Sequence, residues 1–356
     1  MPVIVNKKDL LRFCVDALIR SDMSMENAQT IAKILLQTEM WGIHTHGVKN
    51  LYGYIQKAEA GGVSFTDEPD IEMQNGSMAV INGNNTMGYI SATKAMNLAC
   101  EIAKAYGISM VLVKNSCHFG ACGYYANIAA EKGYIGIVLS NVDKKMTIPG
   151  ARGMVMGHNP FALAAPAVKF PSVILDISSS NVASLRVLKA KHGGESIPNT
   201  WISDVNGLPT TDPSRYPDEG ALLPMGGHKG FGIAMFIEIL TSVLLSCPTS
   251  TEDEVHSWCF DLDKPNNVSH AFVVINPELI DDVNTPFADR VQAFVDELHD
   301  APKAVGNDRI TVPGERMWER YSKAKKNGIE LPEDVMEEIR KIEKKFGIEL
   351  KEKRQA

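Results

Sequence analysis

Histidine 118 stands where a strand-like run ends and a helix-like pattern begins, within LVKNSCHFGACGYY at residues 112–125. A histidine inside a buried strand is usually a hydrogen-bonded core group, whereas one at the end of a strand can face a cleft. Because imidazole titrates near neutral pH, His118 is a candidate for exchanging a proton with a substrate. Position alone does not separate these two interpretations.

A second group of polar residues lies in IHTHGVKNLYGYI at residues 43–55, where Lys49 and Tyr54 follow His44 and His46. Two histidines two residues apart on a strand can share a metal ion, which raises a metal hydrolase as an alternative. No obvious motif elsewhere supplies a third ligand. A histidine that donates a proton or a hydrogen bond to a substrate oxygen is the stronger interpretation.

Glycine-rich turns are the candidates for binding a phosphate group. The chain has no GxGxxG after its first strand and no GxxxxGK[ST], which disfavours a standard Rossmann site or P-loop. In LPMGGHKGFGIAMFIEIL, residues 223–240, a glycine-rich turn with Lys229 opens an apolar helix, and amides at a helix start suit a pyrophosphate. Such turns are also common as plain structure.

Two further turns allow both a structural and a functional interpretation. In SVILDISSSNVA, residues 172–183, a buried strand runs into Asp176 and three serines, which suit either a helix N-cap or a ribose and its phosphates. TVPGERMWER, residues 311–320, reads alone as an ordinary helix entry. A structural role is also the simpler reading of Glu238 in its apolar helix, and of the triplet Asp143–Lys145 as a solvated loop.

The order of the predicted elements is helix, then α/β, then helix. Apolar residues recur at helical spacing through the first sixty residues, and after Pro302 helices are predicted at 313–329 and 332–346. Between them, strand-like runs alternate with helical stretches at 90–106, 122–131, 181–191 and 229–246. The predicted strands are MAVIN, ISMVLVK, YIGIVLS, FALAAPA, SVILDIS and HAFVVIN. This alternation predicts an α/β core.

Composition bears on the binding partners of the protein and on its location in the cell. The 356 residues carry a formal net charge of −7, which disfavours a surface that binds nucleic acid or an anionic membrane. The six scattered cysteines form no CxxC pair and are expected to be reduced thiols. The first residues lack the pattern of a signal peptide and the longest apolar helix is too short to span a bilayer, so we expect a cytoplasmic protein.

Six motifs together carry a resemblance to a known family. They are THGV (45–48), NSCHFGACGYYA (115–126), GHNPFALAAP (157–166), LDISSS (175–180), LPMGGHKGFG (223–232) and VPGER (312–316). In this order they resemble the malate/L-lactate dehydrogenase family of NAD(P)-dependent oxidoreductases. That type-2 group also contains ureidoglycolate dehydrogenase, sulfolactate dehydrogenase, diketogulonate reductase and cyclic imino-acid reductases.

The resemblance implies a fold and an assembly. The family binds its nicotinamide cofactor on a non-Rossmann α/β fold with a mixed, largely antiparallel sheet, and its members are homodimers or higher assemblies. We therefore expect three parts: a helical lobe at 1–70 that contributes to the substrate site, an α/β core at 71–300 that binds the cofactor and forms the dimer, and C-terminal helices at 301–356 that pack back on the core.

The resemblance also implies roles for individual residues. His118 matches the histidine assigned to proton transfer, and His46 matches the histidine at the substrate. The implied substrate-binding positions are Lys49, Asn50, Tyr54 and Asn159. The implied positions for NAD or NADP are Ser140, Asp176, Ile177, Ser178, Ser179, Lys229, Gly230, Gly314 and Glu315. No metal is implied.

The sequence departs from the family pattern at two positions. Many members have an arginine four residues after the first histidine, where a guanidinium can bind the substrate carboxylate, and here that position is Asn50. The usual GTNP is GHNP, so His158 replaces a small hydroxyl beside Asn159.

The sequence therefore predicts an NAD(P)-dependent enzyme that interconverts a small 2-hydroxy acid and its 2-oxo acid, with malate or lactate as default substrates. Within the same fold, a cyclic imino acid, a sugar-derived keto acid or ureidoglycolate is the alternative substrate. A metal hydrolase based on His44 and His46 and a catalytically inactive binding protein are the alternatives from other classes. The sequence does not decide between NAD and NADP.

Overall fold

The computed structural model describes residues 3–280 and 284–351, so the outermost residues of the two predicted terminal segments lie outside the described residues. Its strands are β1 (Val3–Val5), β2 (Asp70–Asn75), β3 (Met78–Asn82), β4 (Ile108–Ser116), β5 (Ile135–Ser140), β6 (Lys144–Met146), β7 (Met156–Gly157), β8 (Phe161–Pro166), β9 (Ser172–Ile177), β10 (Ile202–Ser203), β11 (Pro209–Thr210), β12 (Ala221–Leu222), β13 (Val268–Ile275) and β14 (Ile329–Leu331).

Ten α-helices lie within these described ranges. They are α1 (Lys7–Ile19), α2 (Met25–Met40), α3 (Leu51–Glu59), α4 (Gly88–Tyr106), α5 (Cys122–Glu131), α6 (Ser184–Gly193), α7 (His228–Glu238), α8 (Phe287–His299), α9 (Glu315–Asn327) and α10 (Glu333–Phe346). Short 3-10 turns at His44–His46 and Val48–Asn50 join α2 to α3, and a π-helical turn at Ile239–Val243 continues α7. Helix α8 was not predicted from the sequence.

The centre of the molecule is a seven-stranded mixed sheet in the order β2-β3-β4-β13-β5-β8-β9. Of its neighbouring strands only β3 and β4 run parallel, so the sheet is largely antiparallel as expected. All six strand-like runs of the sequence are strands of this sheet. Buried residues alternate along β5, because successive side chains point to opposite faces.

Strand β13 connects the two halves of the sheet although it comes late in the chain. It pairs with β4 on one side and with β5 on the other, and His270 is opposite Ser140 of β5. The carboxyl ends of β4 and β5 therefore lie on either side of β13. His118 follows the first of these ends, and Ser140 closes the second.

Helices cover the central sheet, and the N-terminal helix α2 packs on those helices. Helices α4 and α5 cover the strands, and α4 ends at Gly107, whose φ of 80° only glycine adopts easily. The side chain of Ser24 caps α2 by accepting a hydrogen bond from the amide of Asn27. The first and last segments also meet directly, because β1 pairs antiparallel with β14. The N-terminal segment predicted as helical thus begins with a strand.

A smaller five-stranded sheet stands beside the central one, in the order β11-β10-β12-β6-β7. It encloses its own cluster of apolar side chains, including Met146, Val187 and Leu222. The N-terminal helices, the central sheet and the C-terminal helices share the other cluster. The predicted boundaries at residues 70 and 300 remain predictions. No helix among the described residues is long and apolar enough to cross a membrane.

Candidate active site

The backbone at the end of β4 turns sharply and sets His118 at the edge of the sheet. Asn115 has a φ of 50° and Gly120 a φ of 81°, both in the left-handed region. At Gly120 a Cβ atom would lie 2.8 Å from the ring of Tyr89, so only glycine fits there. The His118 amide lies 3.4 Å from the side-chain oxygen of Asn266, on the connection that leads into β13.

A buried carboxylate organises the turn that carries His46. The Glu39 side chain accepts a hydrogen bond from the Val48 amide at 2.9 Å and pairs with Nδ1 of His44. A Cβ atom at Gly47 would collide with the same carboxylate, which explains the glycine of THGV. Hydrogen bonding to Glu39 raises the pKa of His44. His44 therefore faces Glu39, while His46 faces the site.

The rings of His46 and His118 stack at a centroid distance of 5.7 Å, although α2–α3 and β4 supply them separately. Nδ1 of His118 lies 2.7 Å from the hydroxyl of Tyr54, and that hydroxyl lies 3.1 Å from the hydroxyl of Tyr89. Both tyrosines are buried, whereas both histidine rings are partly exposed. The two histidines therefore remain partly accessible to solvent, and buried Tyr54 contacts His118 from the protein interior.

Trp258 closes one side of this pocket. Its ring stacks on that of His118 at 4.8 Å and lies 4.9 Å from that of Tyr54. The loop that carries Trp258 is fastened by buried Lys57, whose ammonium donates hydrogen bonds to the backbone oxygens of Asp261 and Lys264 at 2.9 and 2.6 Å. The pocket wall is therefore aromatic and held in place by a buried cation.

The histidines of the site are held in their neutral form. Burial lowers the pKa of His46 to about 4 and that of His158 to about 3, and the charge of Lys145 lowers both further. Burial also lowers the pKa of His118 well below its usual value, with His46 and Lys145 adding to the effect. A neutral imidazole can accept a proton from a substrate hydroxyl at physiological pH.

Lys145 is one residue near the histidines whose position the sequence interpretation missed. Residues 143–145 were interpreted as a solvated loop, but Lys145 lies in β6 with a side chain only 18% exposed, and its ammonium is 3.3 Å from the Asp143 carboxylate. Burial works against its charge, yet Asp143 outweighs burial and raises the pKa of Lys145. Its neighbour Lys144 fits the original interpretation, because it pairs with exposed Asp253.

Three of the four predicted substrate-binding residues direct their polar groups to other parts of the protein. Lys49 forms an ion pair with Asp334 of α10 at 2.7 Å, and Asn50 donates to the backbone oxygen of Thr45 at 2.9 Å. Fully buried Asn159 donates to Glu238 at 2.8 Å and to the backbone oxygen of Ala234 at 3.0 Å. Of the four, Tyr54 contacts His118 directly.

The predicted cofactor segments come together at the end of β9. The amide of Met225 donates to the backbone oxygen of Ser179 at 2.8 Å, and Ser180 forms a β-bridge with Pro224. A Cβ atom at Gly230 would lie 2.5 Å from that same Ser179 oxygen, so this glycine permits the close approach. Lys229 is exposed at the start of α7.

The carboxyl end of β9 supplies further polar groups. Asp176 accepts a hydrogen bond from the Gly123 amide at the start of α5 at 2.8 Å, and burial raises its pKa to about 6 despite that bond. Ile177 ends the strand, and the hydroxyl of Ser178 lies 3.0 Å from that of Ser180. The Ser179 hydroxyl is buried and has no hydrogen-bond partner among the described residues.

The remaining predicted cofactor positions lie in two different environments. Gly314 packs on β9, where a Cβ atom would lie 2.8 Å from the Ile174 amide, and Glu315 accepts a hydrogen bond from the Val312 amide at 3.1 Å. Ser140 is buried, and its hydroxyl lies 2.9 Å from Nδ1 of His270. The other ring nitrogen of His270 lies 2.9 Å from the hydroxyl of Ser116, so Ser140 belongs to a buried polar chain.

Glu238 has the structural role predicted for it. The buried carboxylate accepts hydrogen bonds from Asn141, Asn159 and Ser250 at distances of 2.5–3.0 Å. It ties α7 to the end of β5 and to the loop after the π-helical turn. Within residues 3–280 and 284–351, no group of three or more His, Cys, Asp or Glu side chains is arranged to hold a metal ion.

Comparisons with known proteins agree with this architecture. A family model described as malate/L-lactate dehydrogenase matches residues 5–340. The malate/(S)-sulfolactate dehydrogenase of Methanothermus fervidus is 30% identical over 348 residues, covering 98% of this chain and 99% of that protein. The ureidoglycolate dehydrogenase (NAD(+)) of Escherichia coli K12 is 30% identical over 331 residues, covering 93% of each.

A solved structure extends the likeness to the fold. The crystal structure of malate dehydrogenase from Entamoeba histolytica matches with a TM-score of 0.91 at 28% identity, covering 98% of this chain and 99% of that one. The sheet and these relatives define an oxidoreductase of the hydroxy-acid dehydrogenase class. The chain belongs to the malate/L-lactate dehydrogenase family, as the six motifs indicated.

Proposed function

We propose that this protein interconverts a small 2-hydroxy acid and its 2-oxo acid with NAD or NADP, and that His118 exchanges the substrate proton. The observation that carries the proposal is the stacked pair of His46 and His118 at the open end of β4, with Tyr54 bound to Nδ1 of His118. The named relatives act on hydroxy acids of this kind.

His118 suits a general base in the direction of oxidation. The contact with Tyr54 occupies Nδ1 and leaves Nε2 for the substrate, and the neutral form has a lone pair ready to accept the hydroxyl proton. In the reverse direction the same nitrogen returns the proton to the alkoxide. The Tyr54 hydroxyl stabilises the imidazolium by accepting a hydrogen bond from the protonated Nδ1.

His46 suits a hydrogen-bond donor to the same substrate oxygen. Its Nδ1 lies 2.9 Å from the Thr45 hydroxyl, which leaves Nε2 as the ring nitrogen without that contact. Burial and the charge of Lys145 lower the pKa of His46 to about 4, so His46 stays uncharged at neutral pH. Two neutral rings with different partners can therefore take different roles.

The residues around Ser179 fit a nicotinamide cofactor. The unpartnered hydroxyl of Ser179, the raised pKa of Asp176 and the open glycine turn before α7 form a polar cradle at the end of a strand. The cofactor, when bound, supplies the hydride acceptor and donor of the reaction. Asp176 and Ser178 would bind a ribose, and the amides near Lys229 and Gly230 a pyrophosphate, while Gly314 and Glu315 would border the same cradle.

We further propose a homodimer formed through α7 and its π-helical extension. Apolar side chains stay exposed along this helix, with Phe236 at 59% and both Val243 and Leu244 at 51%. A stripe of this kind on one helix suits a self-complementary contact between two copies. Sedimentation should give a dimer for the native protein and a monomer for Phe236→Glu, while Val305→Glu, a change at another exposed apolar residue, should remain dimeric.

The test of the activity is the loss of reduced-nicotinamide absorbance with NADH or NADPH and a set of 2-oxo acids. Oxaloacetate and pyruvate stand for the default substrates, and diketogulonate and a cyclic imine for the alternatives within the fold. Turnover of a 2-oxo acid supports the proposal and identifies the preferred cofactor, whereas turnover of the cyclic imine alone would favour the alternative. Absence of both turnover and cofactor binding would exclude the proposed activity.

A further inference from the structure

Lys145 is a mostly buried cation whose charge acts on the two histidines. The Lys145 side chain is 18% exposed, and its charge lowers the pKa of His46, His118 and His158 together. Strand pairing explains its position: β6 pairs antiparallel with β7, and β7 leads directly into His158. Lys145 therefore lies on the strand next to the one that precedes His158.

His158 presents a polar atom that nothing in the described chain satisfies. Its Nδ1 is buried without a hydrogen-bond partner, although the ring as a whole is only partly buried. The backbone of His158 is fixed from both sides, because its oxygen accepts from the Ser179 amide at 3.0 Å and Asn159 is bound to Glu238. An enclosed polar atom without a partner costs free energy unless a ligand supplies the hydrogen bond.

The other candidate cations near this site are engaged elsewhere. Lys49 is paired with Asp334 of α10, and Lys144 is paired with Asp253 on the exposed side of β6. Asn50 has no charge, and its amide group donates to the Thr45 backbone. A carboxylate that reaches the His46–His118 pair therefore finds its positive charge at Lys145.

We propose that Lys145 and His158 bind the carboxylate of the substrate, and that the pocket selects a substrate with a single negative charge. This inference rests on the proposed function and names the class of substrate within it. Lys145 donates a charge-assisted hydrogen bond to the carboxylate, and His158 donates a second one from Nδ1 as its neutral tautomer.

The charges in the pocket explain the selection of a monoanion. Lys145 is already paired with Asp143 at 3.3 Å, and the three histidines are neutral, so these groups carry no net charge before the substrate enters. A monocarboxylate brings one negative charge toward one shared cation. A dicarboxylate brings a second negative charge to a partly buried pocket with aromatic walls, where an unpaired charge loses its hydration.

Oxamate and oxalate test this selection directly, because they have nearly the same shape and carry one and two negative charges. Isothermal titration calorimetry of the NADH-saturated protein should give a dissociation constant for oxamate about tenfold or more below that for oxalate, as expected when the second charge is left unpaired. Equal binding, or tighter binding of oxalate, would overturn the selection.

Variants test the two residues. Lys145→Met should weaken oxamate binding by about tenfold or more, the loss of a charge-assisted hydrogen bond. Lys144→Met, on the same strand, should leave it within twofold, and Lys145→Arg should retain most of it. His158→Leu should weaken binding, and His158→Gln, which keeps a donor, should restore part of it. Unchanged binding in Lys145→Met would overturn the assignment.

The measurements separate this inference from the proposed function. Oxamate binding that depends on Lys145, in a protein that reduces no 2-oxo acid, would support the anion site and contradict the reaction. Reduction of oxaloacetate about tenfold or more faster than pyruvate in kcat/KM would support the reaction and overturn the selection of a monoanion.

Discussion

The Tyr54 hydroxyl lies 2.7 Å from Nδ1 of His118, so a buried tyrosine from α3 sets the orientation of a histidine at the end of β4. The same hydroxyl lies 3.1 Å from Tyr89 on α4. Three elements that are distant in the sequence thus fix one ring. The orientation of His118, and the tautomer it adopts, depend on this contact.

Replacing Tyr54 with phenylalanine removes the contact and keeps the aromatic packing against Trp258. We expect kcat to fall by about tenfold, the effect of losing one hydrogen bond to the group that carries the proton. The dissociation constant for NADH should not change. Tyr52→Phe is the matched control, because Tyr52 contacts Lys341 of α10 and not the site. An unchanged kcat in Tyr54→Phe would show that the hydroxyl does not support the proton transfer.

Replacing His118 with glutamine should have a larger effect. The variant keeps a polar group of similar size but has no group that titrates, so kcat should fall by about two to four orders of magnitude. Binding of NADH, measured by fluorescence, should stay within twofold of the native value. His192→Gln, at an exposed position of α6, controls for the loss of a histidine. Near-native turnover would exclude His118 as the acid and base.

Much of the fold was readable in the sequence because its central strands are continuous apolar runs bounded by polar turns. Helix α10 followed from its apolar stripe of Val335, Ile339, Ile342 and Phe346. Helix α8 was missed, because only Gln292 and Val295 of its residues are buried and its apolar pattern is short. Pairing of β1 with β14 joins the two ends of the chain, and no local pattern encodes such a contact.

Part of the site could be predicted from sequence motifs. The motifs placed His46 and His118 in one site, and the structure brings their rings together. Lys145 was missed because a charged triplet after a strand usually faces solvent, whereas Lys145 lies in β6, which pairs with β7 and β12, and its side chain is 18% exposed. Trp258 and His270 lie in segments without a recognisable motif, and tertiary contacts alone bring them to His118 and Ser140.

The buried histidines predict a loss of stability in mild acid. Burial lowers the pKa of His270 to about 3 in the folded state, while the unfolded chain keeps the ordinary value of 6.5. Between these values the unfolded state binds the additional proton, so the stability that His270 contributes is present above pH 6.5 and is lost as the pH falls toward 3. The pKa values of His46 and His158 are shifted in the same direction.

Urea unfolding at several pH values between 6.5 and 4 measures this loss. His270→Asn should reduce the pH dependence of the unfolding free energy by about one proton, which is about 1.4 kcal/mol per pH unit. The quantity to compare is the slope of the unfolding free energy against pH. The absolute stability is not compared, because the variant also loses the contacts to Ser116 and Ser140. Parallel curves for the native protein and the variant would contradict a neutral His270.

The Ser179 hydroxyl allows stability and cofactor binding to be separated. It is buried without a partner among the described residues, so Ser179→Ala should make the cofactor-free protein about 1 kcal/mol more stable by removing an unsatisfied group. If the cofactor supplies the missing hydrogen bond, the same change should raise the dissociation constant for NADH by about tenfold and reduce the stabilisation by added NADH. Thermal unfolding with and without NADH measures both effects. Ser196→Ala, at an exposed serine outside residues 176–180, should change neither. Equal stabilisation of Ser179→Ala and native protein by NADH would place the cofactor away from β9.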